Sequence, residues 1–337
     1  MAEARPRVWL ARPLFEDVTG RLDAHFDVLR TAPAGDEYTP TEVADCLRDA
    51  EGALVTLVER IGKAEIAEAA KLHAVANVAV GYNNLDIAAL SERGIVATNT
   101  PDVLTETTAD LGFALLMAAA RRITEAERWL REGRWTKWSF DTLLGRDLHG
   151  STLGILGMGR IGQGIARRAA GFGMRTLYHN RSRLPEATER ETGAGYVGFD
   201  ELLAQSDHLL LVLPYSPQTH HIIDAAALAK MKPTATLVNI ARGGLVDEIA
   251  LADALAHGRL AAAGLDVFEG EPVVRPELLA LRNVVLTPHI GSASLATRRA
   301  MVSLAVDNLI AALGFGPDAG RPPNAVNAGF MGNRSGG

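Results

Sequence analysis

Arg242, Glu271 and His289 are the residues of this chain best suited to handling protons and anions. Each follows a short apolar run. Arg242 lies in "NIARGGLVDE" after "ATLVNI", Glu271 in "FEGEP" after "LAAAGLDV", and His289 in "TPHIGSAS" after "NVVLT". If those runs are neighbouring parallel strands, their C-terminal ends share the sheet edge at which an open α/β sheet takes its ligands. A guanidinium there can bind a carboxylate and polarise a carbonyl. An imidazolium can protonate a developing alkoxide, and a carboxylate beside it favours that protonated form. Together the three are what hydride transfer to a 2-keto acid requires. Singly, each has a plainer role: a loop cation, a surface acid before Pro272, a hydrogen-bonded loop histidine.

The hydride calls for a dinucleotide, and "GILGMGRIGQGIARR" supplies a place for one. Gly157, Gly159 and Gly162 form G-x-G-x-x-G between an apolar strand at 152–156 and a helix expected over 161–172. The first glycine permits the tight turn, the second lets backbone approach a pyrophosphate, and the third lets helix and strand pack closely. Arg160 and Ile161 open the helix, whose N-terminal N–H groups face the anion. About twenty residues on, an acid would normally accept the ribose diol. Here stand Asn180, Arg181, Ser182 and Arg183. Two guanidiniums, a hydroxyl and an amide suit a 2′-phosphate, which a carboxylate would repel. The expectation is NADPH by preference, with NAD as the other possibility; the plainer reading is a solvated basic loop. Asp266 ends a strand, and two roles stand for it: a partner for the nicotinamide amide, or a cap on the turn that follows.

Short apolar runs alternate with amphipathic stretches along most of the chain. "RVWLA", "GALVTLV" and "HAVANVAV" read as buried parallel strands, and a second series begins with "TLGIL" and continues through "MRTLYH", "HLLLVL" and the three runs named above. The class is α/β, with two doubly wound, Rossmann-like parallel sheets and a cleft between the domains. The break falls near Thr100-Pro101, because proline disfavours helix in the residue before it. A long buried helix is expected over 102–123. A last helix, over about 294–313, should return to the first domain. That makes 1–99 with 291–337 a discontinuous substrate domain and 100–290 the dinucleotide domain.

The 337 residues carry 34 Lys and Arg against 40 Asp and Glu, a net charge of −6, which argues against a nucleic-acid surface. The single cysteine, Cys46, excludes an intrachain disulfide and suits a reducing compartment. The N-terminal stretch lacks a signal-peptide core and no apolar run reaches spanning length, so a cytoplasmic protein without membrane contact is expected. No metal is called for. The tail "GFMGNRSGG" has little to bury.

From about Arg7 to Pro323 the chain resembles the D-2-hydroxyacid dehydrogenases. The motifs that carry the likeness are "GILGMGRIGQGIARRAAGFGM", "VNIARGGLVDE", "AAAGLDVFEGEP" and "TPHIGSA". The resemblance implies Arg242 for substrate and the Glu271–His289 pair for protons. It also implies that "NVAVGYNNLD" is the substrate loop, where backbone N–H groups around Val80 and Gly81 hold the carboxylate. Within the family, "VGYNNLD", "HNRSR" and "PHIGSAS" look most like the glyoxylate and hydroxypyruvate reductases, with 2-ketogluconate as a bulkier substrate of the same type. Those are largely NADPH-using homodimers in which a Trp of the "WTKW" region can reach the partner's site. Trp135 and Trp138 match that region, Trp138 the better, and simple packing in a dimer arm is the other role open to them.

Three further readings compete. Phosphite dehydrogenases look to carry Lys before the loop glycine, where this chain has Val80. Formate dehydrogenases use a Gln–His pair, where this chain has Glu271. A dinucleotide-sensing co-repressor can retain all three residues, but this chain lacks long low-complexity flanks for recruiting partners.

Overall fold

Two all-parallel sheets organise the computed structural model, which describes residues 5–35 and 37–328. The tail 329–337, expected to bury little, lies outside the described residues. The chain divides into two units. One holds the described residues up to Leu104 together with those from Ser294 onward, and the other is Thr105–Ala293.

The first unit is built on β1 (Arg7–Leu10), β2 (Asp27–Arg30), β3 (Gly52–Val55), β4 (Ala74–Asn77) and β5 (Val96–Thr98), in the order β2-β1-β3-β4-β5. β3 and β4 are buried along their whole length, as continuous apolar runs in a parallel sheet should be. The helices between strands include α1 (Glu16–Thr19), α2 (Pro40–Arg48) and α3 (Ile87–Glu92). α2 starts where sequence says it must: Thr39 and Glu42 form a reciprocal capping box and Pro40 takes the first helical position. The C-terminal helix Leu295–Ala312, capped by the Ser294 hydroxyl, packs on β3, β4 and β5. Gly52 permits this approach, since a β-carbon there would lie 2.8 Å from Leu313 Cδ1. Asn327, buried near the chain end, accepts from the Ala97 N–H of β5 at 3.0 Å.

The second unit contains β6 (Thr152–Leu156), β7 (Arg175–His179), β8 (Ala194–Tyr196), β9 (His208–Leu211), β10 (Thr236–Asn239), β11 (Ala262–Leu265) and β12 (Val284–Leu286). Their order is β12-β11-β10-β9-β6-β7-β8. The order reverses between β6 and β9, and ligands bind outside the strand ends at such a switch point. The helices that matter most are α4 (Thr105–Ala120), α5 (Ile123–Arg131) and α6 (Arg160–Gly171). α4 lies between α6 and strands β10 and β11. Gly112 lets it sit close, because a β-carbon there would meet Ile240 Cδ1 at 2.7 Å.

One expectation needs correction. The single helix expected over 102–123 is two, since the chain turns at Arg122 with φ of 55° and restarts as α5. The turn is held by the Arg122 guanidinium, which grips Glu125 through Nε at 2.8 Å and Nη2 at 3.0 Å. Apolar patterning ran through this break because α4 is buried on most sides and so carries no polar face to mark its end. No helix among the described residues is long and apolar enough to cross a membrane.

Candidate active site

The glycine loop forms at the switch point. β6 runs into Gly157, whose φ of +104° suits glycine, and a β-carbon there would lie 2.6 Å from Leu213 N just beyond β9. A β-carbon at Gly162 would lie 2.5 Å from Gly157 O, so the third glycine lets α6 pack against the turn. Gly159, in contrast, faces open space with nothing within 4 Å, which is the room a pyrophosphate needs. α6 begins at Arg160, one residue before the expected start, and Ile161 and Gly162 occupy its first turn. N–H groups of a first helical turn have no intrahelical acceptor and can serve an anion. The loop therefore fits a dinucleotide.

Beyond β7 the four polar residues separate. Asn180 Oδ1 accepts the Met158 N–H at 2.7 Å, so this side chain braces the glycine loop. Arg181 and Ser182 are exposed and have no side-chain partner among the described residues. Arg183, expected to join them at a phosphate, is turned elsewhere: its Nε and Nη2 each donate to Glu189 at 2.8 Å. Tyr178 also donates to Glu189, at 2.6 Å. The hydrogen bonds from Arg183 and Tyr178 bring the Glu189 carboxyl down to about 2.

Arg242, Glu271 and His289 emerge from the C-terminal ends of the neighbouring strands β10, β11 and β12. His289 Nδ1 lies 2.7 Å from Glu271 Oε2, and the other carboxylate oxygen accepts the Phe268 N–H at 2.8 Å. Burial pushes the Glu271 carboxyl up, but the His289 hydrogen bond and charge, the Phe268 N–H and the Arg242 charge together bring it below the ordinary carboxylate value. Burial also pulls the Arg242 guanidinium down, opposed by the Glu271 charge. The backbone of His289 is left-handed, with φ of 51°. An observed strain of this kind at a ring that must point one way is common at functional sites.

Asp266 holds that strained turn. It is fully buried and accepts from Thr287 Oγ1 at 2.7 Å, Ile290 N at 2.8 Å and Gly291 N at 2.8 Å. Burial raises its pKa against these bonds. These contacts are those of the turn cap, one of the two roles open in the sequence.

Other contributors escape sequence reading. Asn239, 1% exposed, donates from Nδ2 to Arg242 O at 2.9 Å and accepts from Ala241 N at 3.1 Å, shaping the Arg242 turn. The available signal was a polar residue closing an otherwise buried strand. At Gly243 a β-carbon would fall 1.8 Å from the carbonyl carbon of Phe268, so the Arg242 and Glu271 loops touch through backbone.

In the first unit, Val80 and Gly81 follow β4. Their carbonyls are taken by Asn99 Nδ2 at 2.8 Å and Asn77 Nδ2 at 3.2 Å, while their N–H groups have no acceptor among the described residues. The loop thus offers amide donors. Trp138 is 74% exposed and meets Phe140 edge-on, with Trp135, Phe140 and Leu144 also exposed.

Residues 113–291 match the model of the D-isomer specific 2-hydroxyacid dehydrogenase NAD binding domain. A glyoxylate reductase of Thermococcus onnurineus is 48% identical over 312 residues, covering 91% of this chain and 92% of that protein. A crystal structure of a protein from Thermus thermophilus superposes with a TM-score of 0.87 at 42% identity, over 95% of this chain and 99% of that one. An NADPH-dependent glyoxylate/hydroxypyruvate reductase of Sinorhizobium meliloti, solved with NADP and malonate, superposes with a TM-score of 0.85 at 37% identity, over 96% and 97%.

Proposed function

Because this chain belongs to the D-isomer specific 2-hydroxyacid dehydrogenase family, we propose that it reduces glyoxylate and hydroxypyruvate to glycolate and D-glycerate, with NADPH preferred over NADH. The observation that carries the reading is the 2.7 Å Glu271–His289 pair on the sheet edge that also bears Arg242. The bulkier 2-ketogluconate shares the carboxylate–carbonyl unit and belongs in the same substrate class.

When bound, the reduced nicotinamide supplies a hydride to the carbonyl carbon. Arg242 binds the substrate and draws electron density toward the carbonyl oxygen, where charge develops. Glu271 takes Nδ1 of His289, which leaves Nε2 to deliver a proton to that oxygen. The N–H groups of Val80 and Gly81 receive the carboxylate. Gly157, Gly159 and Gly162 seat the pyrophosphate at the start of α6. Arg181 and Ser182 hold the 2′-phosphate, with Asn180 as a brace and Arg183 as a reserve held by Glu189.

The first unit serves as substrate domain and the second as dinucleotide domain. We place the enzyme in the cytoplasm as a homodimer, joined across the exposed Trp135, Trp138, Phe140 and Leu144. The direct test is oxidation of NADPH and NADH over glyoxylate, hydroxypyruvate and 2-ketogluconate, with oligomeric state measured by light scattering. Absence of turnover with every 2-keto acid would favour a dinucleotide-sensing protein instead.

A further inference from the structure

We infer that His221 is a positioning residue that clips the Arg242 loop to the Glu271 loop and so fixes the spacing of the two side chains. The inference rests on the catalytic reading above.

His221 lies in the connection after β9, outside the strands that carry Arg242, Glu271 and His289. Its φ of 49° places it in the left-handed region, unfavourable for a residue with a β-carbon. Something must hold it there, and two sets of contacts do. Its backbone N–H donates to Gly244 O at 2.8 Å, Ile223 N donates to Leu245 O at 3.0 Å, and Asp247 N donates back to Ile223 O at 3.0 Å. The connection is thus zipped to the segment that directly follows Arg242.

The ring makes the second set. Nε2 donates to Glu269 Oε1 at 2.9 Å, two residues before Glu271. The Glu269 N–H in turn donates to Glu248 Oε1 at 2.7 Å, and Glu248 is buried in the helix that follows the Arg242 loop. Arg275, on the far side of Glu271, lies 3.5 Å from Glu248 Oε2 and 3.9 Å from Glu269 Oε2. Phe268 and Glu269 already press on Gly243 through backbone. Phe268 then donates its N–H to Glu271. A shift at Glu269 therefore moves the turn that aims the Glu271 carboxylate at His289.

His220 limits the alternatives open to the ring. It stacks on His221 with centroids 3.8 Å apart, and Tyr215 Oη lies 3.2 Å from its Nδ1. His220, His221 and Glu269 are also of metal-ligating type. The His221 ring nitrogen Nε2 is already engaged by Glu269, and the His220 Nδ1 lies against the Tyr215 hydroxyl. The arrangement suits a hydrogen-bonded clip better than an ion.

The test is a double-mutant cycle on the full chain with glyoxylate and NADPH: His221→Ala, Glu269→Ala and both together. Each single variant should lose about tenfold in kcat/KM, mainly in kcat, equivalent to about 1.4 kcal/mol. The double variant should be no worse than either single. His221→Gln, whose amide can still donate to Glu269, should recover most of the loss at unchanged Tm. Additive losses, or losses that follow Tm and ignore the Gln rescue, would overturn the clip, and so would wild-type kinetics in both singles. Arg242→Ala and Glu271→Gln are run alongside. If those two retain near-normal turnover, the catalytic reading itself fails and takes the clip with it. If they are crippled while the cycle is flat, the clip alone fails.

Discussion

Arg181 and Arg183 are two residues apart, yet their surroundings differ, and on the proposed reading they should contribute unequally to cofactor choice. Arg181 is exposed and has no side-chain partner among the described residues, whereas Nε and Nη2 of Arg183 both donate to Glu189. A hydrogen bond to a charged group contributes about 1.5–3 kcal/mol net. Solvent screening puts an exposed contact at the low end of that range. Arg181→Ala should therefore lower kcat/KM for NADPH by about tenfold, at 1.4 kcal/mol per decade. NADH has no phosphate at this place, so its kcat/KM should hardly change. Arg183→Ala should cost less with NADPH than Arg181→Ala, since the Glu189 carboxylate already engages two of its N–H donors and offsets its charge. Glu189→Gln removes the competing charge and should raise the preference for NADPH. The assay is steady-state kinetics with both cofactors at two salt concentrations, because a phosphate contact on the surface weakens as salt rises. Equal losses for NADPH and NADH in Arg181→Ala would refute the reasoning, and a wild-type enzyme that prefers NADH would remove its premise.

Other consequences are as direct. His289→Ala or His289→Gln should lower kcat by at least about a hundredfold, the scale of positioned acid catalysis, as read in single-turnover hydride transfer. Glu271 has a lowered pKa, so its charge is complete at neutral pH and is lost only as pH falls through that lowered value. Glu271→Gln removes the charge at all pH values and should lower kcat for reduction; an unchanged kcat would show that the carboxylate does not act through His289. Gly157→Ala places a β-carbon 2.6 Å from Leu213 N at a φ of +104°, which should lower Tm and abolish cofactor binding measured by nicotinamide fluorescence. Trp138→Asp should shift the protein toward monomer in light scattering if the exposed aromatic stretch joins two copies.

The sequence was most legible where period and punctuation agreed. The strands feeding Arg242, Glu271 and His289 are continuous apolar runs ending in polar residues, and all three residues come out at one sheet edge. The same criterion misses β2, which has no buried residue and lies on the sheet margin, and the three-residue strands β5 and β8, which are too short to carry a period. Arg183 illustrates a different limit. The sequence shows a guanidinium near the position expected for a 2′-phosphate, but only the fold brings Glu189 of the following helix to it. For Asp266, too, the N–H groups of Ile290 and Gly291 that converge on its carboxylate come from a segment more than twenty residues away. Long-range polar partners of this kind leave no local pattern.

The first unit borrows its last helix from the far end of the chain, and this orders events during synthesis. Thr105–Ala293 is one uninterrupted stretch and is complete before Leu295–Ala312 has been made. Domains fold as units while the chain emerges. Until the C-terminal helix arrives, β3, β4 and β5 lack the apolar cover that packs on them, and β5 lacks its Asn327 contact. The N-terminal strands, although made earlier, must therefore wait until Leu295–Ala312 has emerged to gain that cover. Chains stalled just before Leu295 should display a protease-resistant second unit beside a labile first one, and early termination there should yield a cofactor-binding fragment that is prone to aggregate through its unfinished sheet.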